Sequence, residues 1–482
     1  MRTPAIELEP LLACARLAAV SRPLPERSTA PAAATALAGC RRLPLIQPDL
    51  PHRILAWRGA RGVTQAQFLG DVHALADRLP QASHALNLCA DLYHFMTAFA
   101  AICLRGQTNL LPPSQASSVI GEIADAYPGC YAVVDGRTAY AGLPRVVEGD
   151  AGAPPHPPVQ TIPTVQEAHV AALVFTSGST GVPQAHAKTW RTLVHTAQLA
   201  AQRFIGADAA GASVVATVPP QHMYGLETTV MMALAGGCAA YAGRTFFPAE
   251  LREALAQVPA PRVLITTPIH LRACVPAPQP FVPLHLIISA TAPLESVLAA
   301  LAESALGAPV HEIYGCTEAG SMASRRTVET AMWQLYPGMR LSRRDGADAV
   351  QGQHLDLPVT LPDVLDDLGD GKFLLRGRSA DMIKVGGKRS SLGELTRALL
   401  RIPGVQDAVV FVPAPVAGRE VRPAALVVAP HLSAEQIRGA LETMIDPVFL
   451  PRPLICLADL PRNAVGKLPR AALLAELERR RA

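Results

Sequence analysis

The sequence predicts an α/β protein: a large N-terminal domain of βαβ subdomains, followed by a small α+β C-terminal domain. Three observations predict it. The chain has 482 residues, too many for one hydrophobic core. From Ala171 onward, short apolar runs alternate with helical patterns, as parallel strands joined by crossover helices require. After Arg378 the alternation gives way to a unit of about 100 residues, an ordinary domain size. The expected division is a partly flexible segment 1–50, a large domain 51–378 and a small domain 379–482.

Taken in order, residues 1–50 are rich in Ala, Pro and Arg and lack sustained periodicity. Order is expected from Ile54-Leu55-Ala56-Trp57, with a turn at Gly59 to Gly62. Thr64 and Gln67 have capping-box spacing, and Phe68, Val72, Leu75 and Leu79 then share one helix face. Residues 84–88 and 131–135 read as strands flanking a helix over 92–104, and the Pro-rich stretch 143–163 reads as a boundary between subdomains. Strands are expected at 172–177, 212–218, 262–267, 284–290 and 309–315. The helix expected at 294–306 places Leu294, Val297, Leu298 and Leu301 on its apolar face. Beyond Arg378, strands are expected at 407–413, 424–430 and 453–458, with helices at 391–401, 433–443 and 470–481. Ser433 and Gln436 repeat the capping-box spacing.

Composition narrows the function. A net charge of +4 over this length, scattered along the chain, argues against nucleic acid or an anionic membrane as partner. Nine cysteines form no C-x-x-C pair and no zinc-spaced cluster, which suits reduced thiols in a cytosolic compartment. The longest weakly polar stretch, 228–243, is broken by Gly236-Gly237 and too short to span a bilayer, so it reads as a buried helix followed by a strand. With no recognisable signal-peptide pattern, a cytoplasmic enzyme without a membrane span is expected.

The most informative stretch is Val174-Phe175-Thr176-Ser177-Gly178-Ser179-Thr180-Gly181-Val182-Pro183. Hydroxyls and glycines directly after an apolar strand make a phosphate cradle: backbone N–H groups approach the anion where no Cβ intervenes, and Thr176, Ser177, Ser179 and Thr180 add donors. It is not a Walker A loop, because no Gly-Lys-Ser/Thr closes it. Three further segments follow: Tyr314-Gly315-Cys316-Thr317-Glu318, Gly377-Arg378 through Arg389, and Pro461 to Lys467. In this order and spacing the chain resembles the ANL superfamily of adenylate-forming enzymes, over roughly residues 50 to 475. The resemblance implies that ATP and a carboxylic acid give acyl-AMP and pyrophosphate, after which the acyl group passes to a thiol. It also implies a small domain that rotates between the two steps.

Each motif then has an expected task. The loop 176–181 holds the triphosphate. Glu318, with Thr317 before it, is the expected Mg²⁺ ligand, since Mg²⁺ favours one or two carboxylates plus phosphate oxygens. Lys467, on a Gly-containing loop, can bring a compact charge to the α-phosphate and the attacking carboxylate. Lys467, Glu318 and Thr317 form the expected catalytic set. Tyr314 and Gly315 border the adenine by resemblance. By the same resemblance Asp363, seven residues before the Asp370-Gly371 turn, is the candidate for the ribose hydroxyls, with Asp366 and Asp367 nearby as competitors. Arg378 and Arg389 are candidate phosphate or ribose donors. Gly386 and Gly387 resemble the strip that lines a pantetheine tunnel. His222 is expected to gate or wall the acid pocket rather than act as a base, with the small residues Ala290, Thr291 and Ala292 leaving room for the substrate.

The chain departs from the resemblance in two places. Gln184 and Ala185 stand where the loop usually continues Lys-Gly; Lys188 replaces the lost charge if the loop folds back. Ala380 stands at the usual hinge position, with Asp381 next. These features and the compact length resemble the ligases of aryl-polyene (xanthomonadin-type) pathways, which implies an aromatic acid loaded onto an acyl carrier protein. CoA as acceptor, a luciferase-like oxidative reaction and a nucleotide-binding pseudoenzyme are the alternatives. Retention of Glu318 and Lys467 counts against the last.

Overall fold

The computed structural model describes residues 41–48, 52–136, 142–147, 156–177, 183–206, 210–344, 346–378, 381–385, 388–413, 422–462 and 468–480. Regular structure starts earlier than Ile54. Strand Arg42–Pro44 pairs antiparallel with Thr164–Gln166, and Leu45 and Ile46 are fully buried. Three residues are too few to show periodicity, and the partner lies far along the chain.

The hairpin Ile54–Arg58/Arg61–Thr64 leads into helix Gln65–Arg78, where both halves of the Thr64/Gln67 capping box are made. Phe68, Val72, Leu75 and Leu79 are all buried, so the periodicity named the correct face. Among the described residues, one six-stranded sheet runs Pro183–Thr189, Val170–Ser177, Thr108–Leu111, His84–Asn87, Tyr131–Val134, Arg145–Val147. All its pairings are parallel except that of Pro183–Thr189, which folds back antiparallel on Val170–Ser177. The Pro-rich stretch therefore does not divide two subdomains. It leaves one edge of this sheet and returns to pair beside Thr108–Leu111, whose second row of backbone hydrogen-bonding groups would otherwise lack a partner.

The second sheet has eleven strands. Its centre is parallel: Ala239–Tyr241, Ser213–Ala216, Arg262–Thr266, Leu286–Ser289 and Val310–Cys316. The last four of these strands lie within about two residues of the expected bounds. The 54–58 hairpin completes one edge, and beyond Val310–Cys316 the sheet continues antiparallel through Gly320–Arg326, Trp333–Leu335, Lys372–Arg378 and Asp363–Gly369. The stretch expected to be a buried helix and a strand is a buried π-helical segment, Leu226–Met231, continued by Met232–Leu234 and then strand Ala239–Tyr241.

One helix is rotated from the expected face. In Ser296–Leu306 the buried residues are Ala299, Ala302 and Leu306; of the four residues expected inside, Leu294 is buried but precedes the helix, Leu298 is half-buried against the core, and Val297 and Leu301 are 67% and 51% exposed. This helix is apolar on most of its circumference, so periodicity could not choose a face. The alanine face wins because small side chains let the helix backbone approach the strands closely.

The C-terminal part is α+β, as expected. Strands Asp407–Phe411, Ala424–Val428 and Leu454–Leu457 form one sheet, accompanied by helices Leu392–Leu400, Ala434–Glu442 and Arg470–Arg479. Its two hydrophobic clusters draw only on residues from Val385 onward. Ser433 and Gln436 make their capping box. Among the described residues no helix is long and apolar enough to cross a membrane.

Candidate active site

In a parallel α/β sheet, ligands sit beyond the carboxyl ends of the strands. Strand Val170–Ser177 ends at Thr176 and Ser177, and strand Val310–Cys316 ends in the Tyr314 to Glu318 motif. The two ends come from different sheets, and His186 joins them. Its Nε2 lies 3.1 Å from Thr176 Oγ1, and its Nδ1 lies 3.8 Å from Glu318 Oε1. Burial holds the His186 imidazole below its usual range, the Glu318 charge opposing this and Lys188 adding to it, which favours a neutral ring. Gly178, Ser179, Thr180 and Gly181 lie outside the described residues, as do Gly386, Gly387 and Lys467; of Ser177, Arg378 and Arg389 only the backbone is described.

Glu318 sits at the tip of the hairpin that joins Val310–Cys316 to Gly320–Arg326, with its side chain 48% exposed. Thr317 beside it is half-buried. The hairpin is so tight that a Cβ on Gly315 would lie 2.6 Å from the Gly320 carbonyl oxygen, and Gly320 itself has φ of +77°. Glycine at both positions is a steric requirement of the turn. A single half-exposed carboxylate at strand ends fits a Mg²⁺ ion that is held jointly with phosphate oxygens. Cys316, between Gly315 and Thr317, is held neutral, its thiol pushed up to about 12 by burial.

Tyr314 connects the hairpin to the antiparallel end of the sheet. Its hydroxyl donates to Asp363 Oδ2 at 2.7 Å, and its ring packs against Trp333 and Phe373 at centroid distances of 5.6 Å. The strand register pairs Asp363 with Arg378 directly. The nucleoside candidates Tyr314, Asp363 and Arg378 thus come from three strands of one sheet.

His222 is half-buried and immediately precedes the short helix Met223–Gly225. Tyr224, two residues on, donates to the carbonyls of Thr266 (3.2 Å) and Ile288 (3.0 Å), fixing this segment against the carboxyl ends of two central strands. Ala290 is buried just past Leu286–Ser289, and Thr291 and Ala292 are exposed. Thr291 has φ of +77°, which is strained for a β-branched residue and of the kind concentrated at functional sites. By contrast, an open cleft of about 510 Å³ lined by Gln47, Arg53, Gln202 and Gly237 lies at the amino ends of Ser213–Ala216 and Ala239–Tyr241. The motifs gather at the opposite end of the sheet.

The expected role of Lys188 in place of the missing loop lysine turns on residues 178–182, which lie outside the described residues. Lys188 itself sits on the strand Pro183–Thr189, paired with Ala172 of the neighbouring strand. It is 2% exposed, and its Nζ donates to the Glu318 carbonyl oxygen at 2.6 Å. Burial lowers the Lys188 amine from its usual range, with Glu227 the main opposing charge.

Sequence reasoning passed over His186, Glu227 and Ser321. His186 and Lys188 occupy alternate positions of one strand, and polar residues on an inward face were the available signal. Glu227 had a similar one, being an acidic residue inside an otherwise apolar run. It is 1% exposed, and it accepts from Ser321 N (3.1 Å to Oε2) and Ser321 Oγ (2.6 Å).

Comparison with known proteins agrees with this arrangement. Residues 9–369 match the family model of AMP-binding enzymes, and residues 394–467 match the AMP-binding enzyme C-terminal domain. The chain is 30% identical over 307 residues to a 4-coumarate–CoA ligase of Halorhodospira halophila, spanning 62% of this chain and 75% of that protein. It is 25% identical over 307 residues to a 3,4-dihydroxybenzoate–[aryl-carrier protein] ligase of Bacillus anthracis, spanning 62% and 73% respectively. Its fold superimposes on the o-succinylbenzoate coenzyme A synthetase of Bacillus subtilis, solved with ATP and magnesium ion, with a TM-score of 0.73. That similarity is at 18% identity and covers 87% of this chain and 96% of the other. The chain therefore belongs to the AMP-binding enzyme family, within the ANL superfamily of ATP-dependent, adenylate-forming acid–thiol ligases.

Proposed function

We propose that the protein activates an aromatic carboxylic acid with ATP, releasing pyrophosphate, and transfers the acyl group from acyl-AMP to the pantetheine thiol of an acyl carrier protein. The observation that carries the reading is the convergence of Thr176, His186 and Glu318 at adjoining strand ends, with Tyr314 hydrogen-bonded to Asp363 on the same sheet.

On this reading the loop 176–181 cradles the β- and γ-phosphates. Mg²⁺, held by Glu318 and phosphate oxygens, would neutralise charge on the triphosphate. Asp363 accepts from the ribose hydroxyls, Tyr314 borders the adenine, and Arg378 and Arg389 pair with phosphate or ribose oxygens. Lys467 brings its charge to the α-phosphate as the acid carboxylate attacks it, and the P–O bond to pyrophosphate breaks. No general base is needed, because the carboxylate is already ionised near neutral pH. His222 and Ala290, Thr291 and Ala292 wall the acid pocket. Gly386 and Gly387 let the thiol arm approach for the second step.

The aryl-carrier ligase relative supports a carrier protein as acceptor, and the coumarate–CoA ligase relative supports free CoA as the second reading. A competition assay separates them. With a preferred acid, ATP and Mg²⁺, acyl transfer to holo-acyl carrier protein should exceed transfer to CoA in kcat/KM. A preference for CoA would establish the second reading.

A further inference from the structure

Two buried charged residues outside the motifs hold the hairpin that carries Glu318. Lys188, on strand Pro183–Thr189, donates from Nζ to the Glu318 carbonyl oxygen at 2.6 Å. Glu227, on the buried segment Leu226–Met231, takes both the Ser321 backbone N–H and the Ser321 hydroxyl. A Cβ on Gly320 would lie 2.3 Å from Glu227 Oε1, so the carboxylate is pressed against the hairpin backbone. Lys188 and Glu227 are 2% and 1% exposed. Burying two ionisable groups is unfavourable, and apolar residues of similar size often serve stability as well or better. Their hydrogen bonds go to Glu318 at the tip of the hairpin and to Ser321 on the strand that leaves it, from two different elements. A packing role needs no such geometry.

We propose that Lys188 and Glu227 are positioning residues that clamp the Cys316–Ser321 hairpin from two sides and fix where the Glu318 carboxylate meets the metal–nucleotide complex. The clamp rests on the reading of Glu318 as the metal ligand. Lys188 holds the backbone carbonyl of Glu318 and not its carboxylate, which lies beside His186 Nδ1. Glu227 fixes the strand into which the turn runs. Neither residue touches the nucleotide. Their contribution therefore falls on the metal-dependent part of ATP binding, and metal-free ATP binding is spared.

The test uses the full chain and calorimetric dissociation constants for ATP with saturating Mg²⁺ and with EDTA. Melting temperatures establish that each variant is folded. In the wild type, the ratio of the two constants measures the gain from metal. Lys188→Met should cut that gain about tenfold, the loss expected for a charge-assisted hydrogen bond. The EDTA value should stay within about twofold, and Lys188→Arg should restore most of the gain. Ser321→Ala, which removes only the hydroxyl donor to Glu227, should cut the gain by about fivefold, and it decides the matter should Lys188→Met fail to fold. Equal weakening with and without metal would overturn the proposal in favour of a structural role. An unchanged gain in the folded variants would overturn it as well. Glu318→Gln is the control for the underlying reading. If it keeps the full metal gain, that reading fails; if it loses the gain while Lys188→Met and Ser321→Ala keep it, the clamp alone fails.

Discussion

Tyr314→Phe removes one atom and leaves everything else in place. The ring stays packed between Trp333 and Phe373, so no cavity opens and the lost interaction is the hydroxyl donated to Asp363 Oδ2 at 2.7 Å. A hydrogen bond to a charged acceptor contributes about 1.5–3 kcal/mol. Asp363 begins the strand Asp363–Gly369, and losing the tyrosine hydroxyl weakens the hold on its carboxylate at the position proposed for ribose recognition. If about 1.4 kcal/mol of that energy bears on ribose binding, ATP affinity falls about tenfold. Initial rates of ATP–pyrophosphate exchange at varied ATP should then show KM for ATP raised about tenfold, with KM for the acid changed less than about twofold. Equal rises in both constants would refute the argument, because they would show that the hydroxyl stabilises the whole site. An unchanged KM for ATP would refute it too.

Two further outcomes follow from buried groups and exposed faces. Burial raises Glu227 from 4.5 to about 7, against the opposing effects of Ser321 and Lys188. The folded site thus keeps a proton that the unfolded chain has released. Its stabilising contribution is full below about pH 4.5 and is lost as pH rises through about 7, a change on the order of 3 kcal/mol. Melting curves should show Glu227→Gln gaining on the wild type between pH 5 and pH 8; a constant offset would contradict this assignment. On helix Ser296–Leu306, Leu301→Glu should shift stability by less than about 0.5 kcal/mol, whereas Ala302→Leu should cost about 1–3 kcal/mol by overpacking. Denaturant midpoints in the reverse order would restore the face that periodicity suggested.

The sequence was most legible where local chemistry decides structure. Helix 65–78 was readable because Thr64 and Gln67 cap it and four apolar residues share its inner face. The strand ends at Ser177 and Cys316 were readable because apolar runs stop at hydroxyl- and glycine-rich motifs. Non-local pairing was not readable. Nothing in Arg42–Pro44 announces Thr164–Gln166 as its partner, and a Pro-rich stretch looks the same whether it joins two subdomains or two strands of one sheet. Helix 296–306 defeated periodicity by being apolar on several faces, leaving the choice to the close fit of Ala299 and Ala302. Within the site, motif residues were found by their order along the chain. His186, Lys188 and Glu227 matter through contacts across long stretches of chain, such as the 130 residues from Lys188 to Glu318, and those contacts exist only once both sheets are assembled. Lys188 shows the difference most clearly, since its place four residues past the gap gave no sign that its amine meets the Glu318 carbonyl oxygen.

The most direct test of adenylation is carboxylate-dependent ATP–pyrophosphate exchange over hydroxybenzoates, cinnamates and fatty acids, with Lys467→Ala measured alongside. The account predicts strong exchange with an aromatic acid and its loss in the variant. Measurable ATP binding without exchange for any acid would contradict it, as would full exchange in Lys467→Ala.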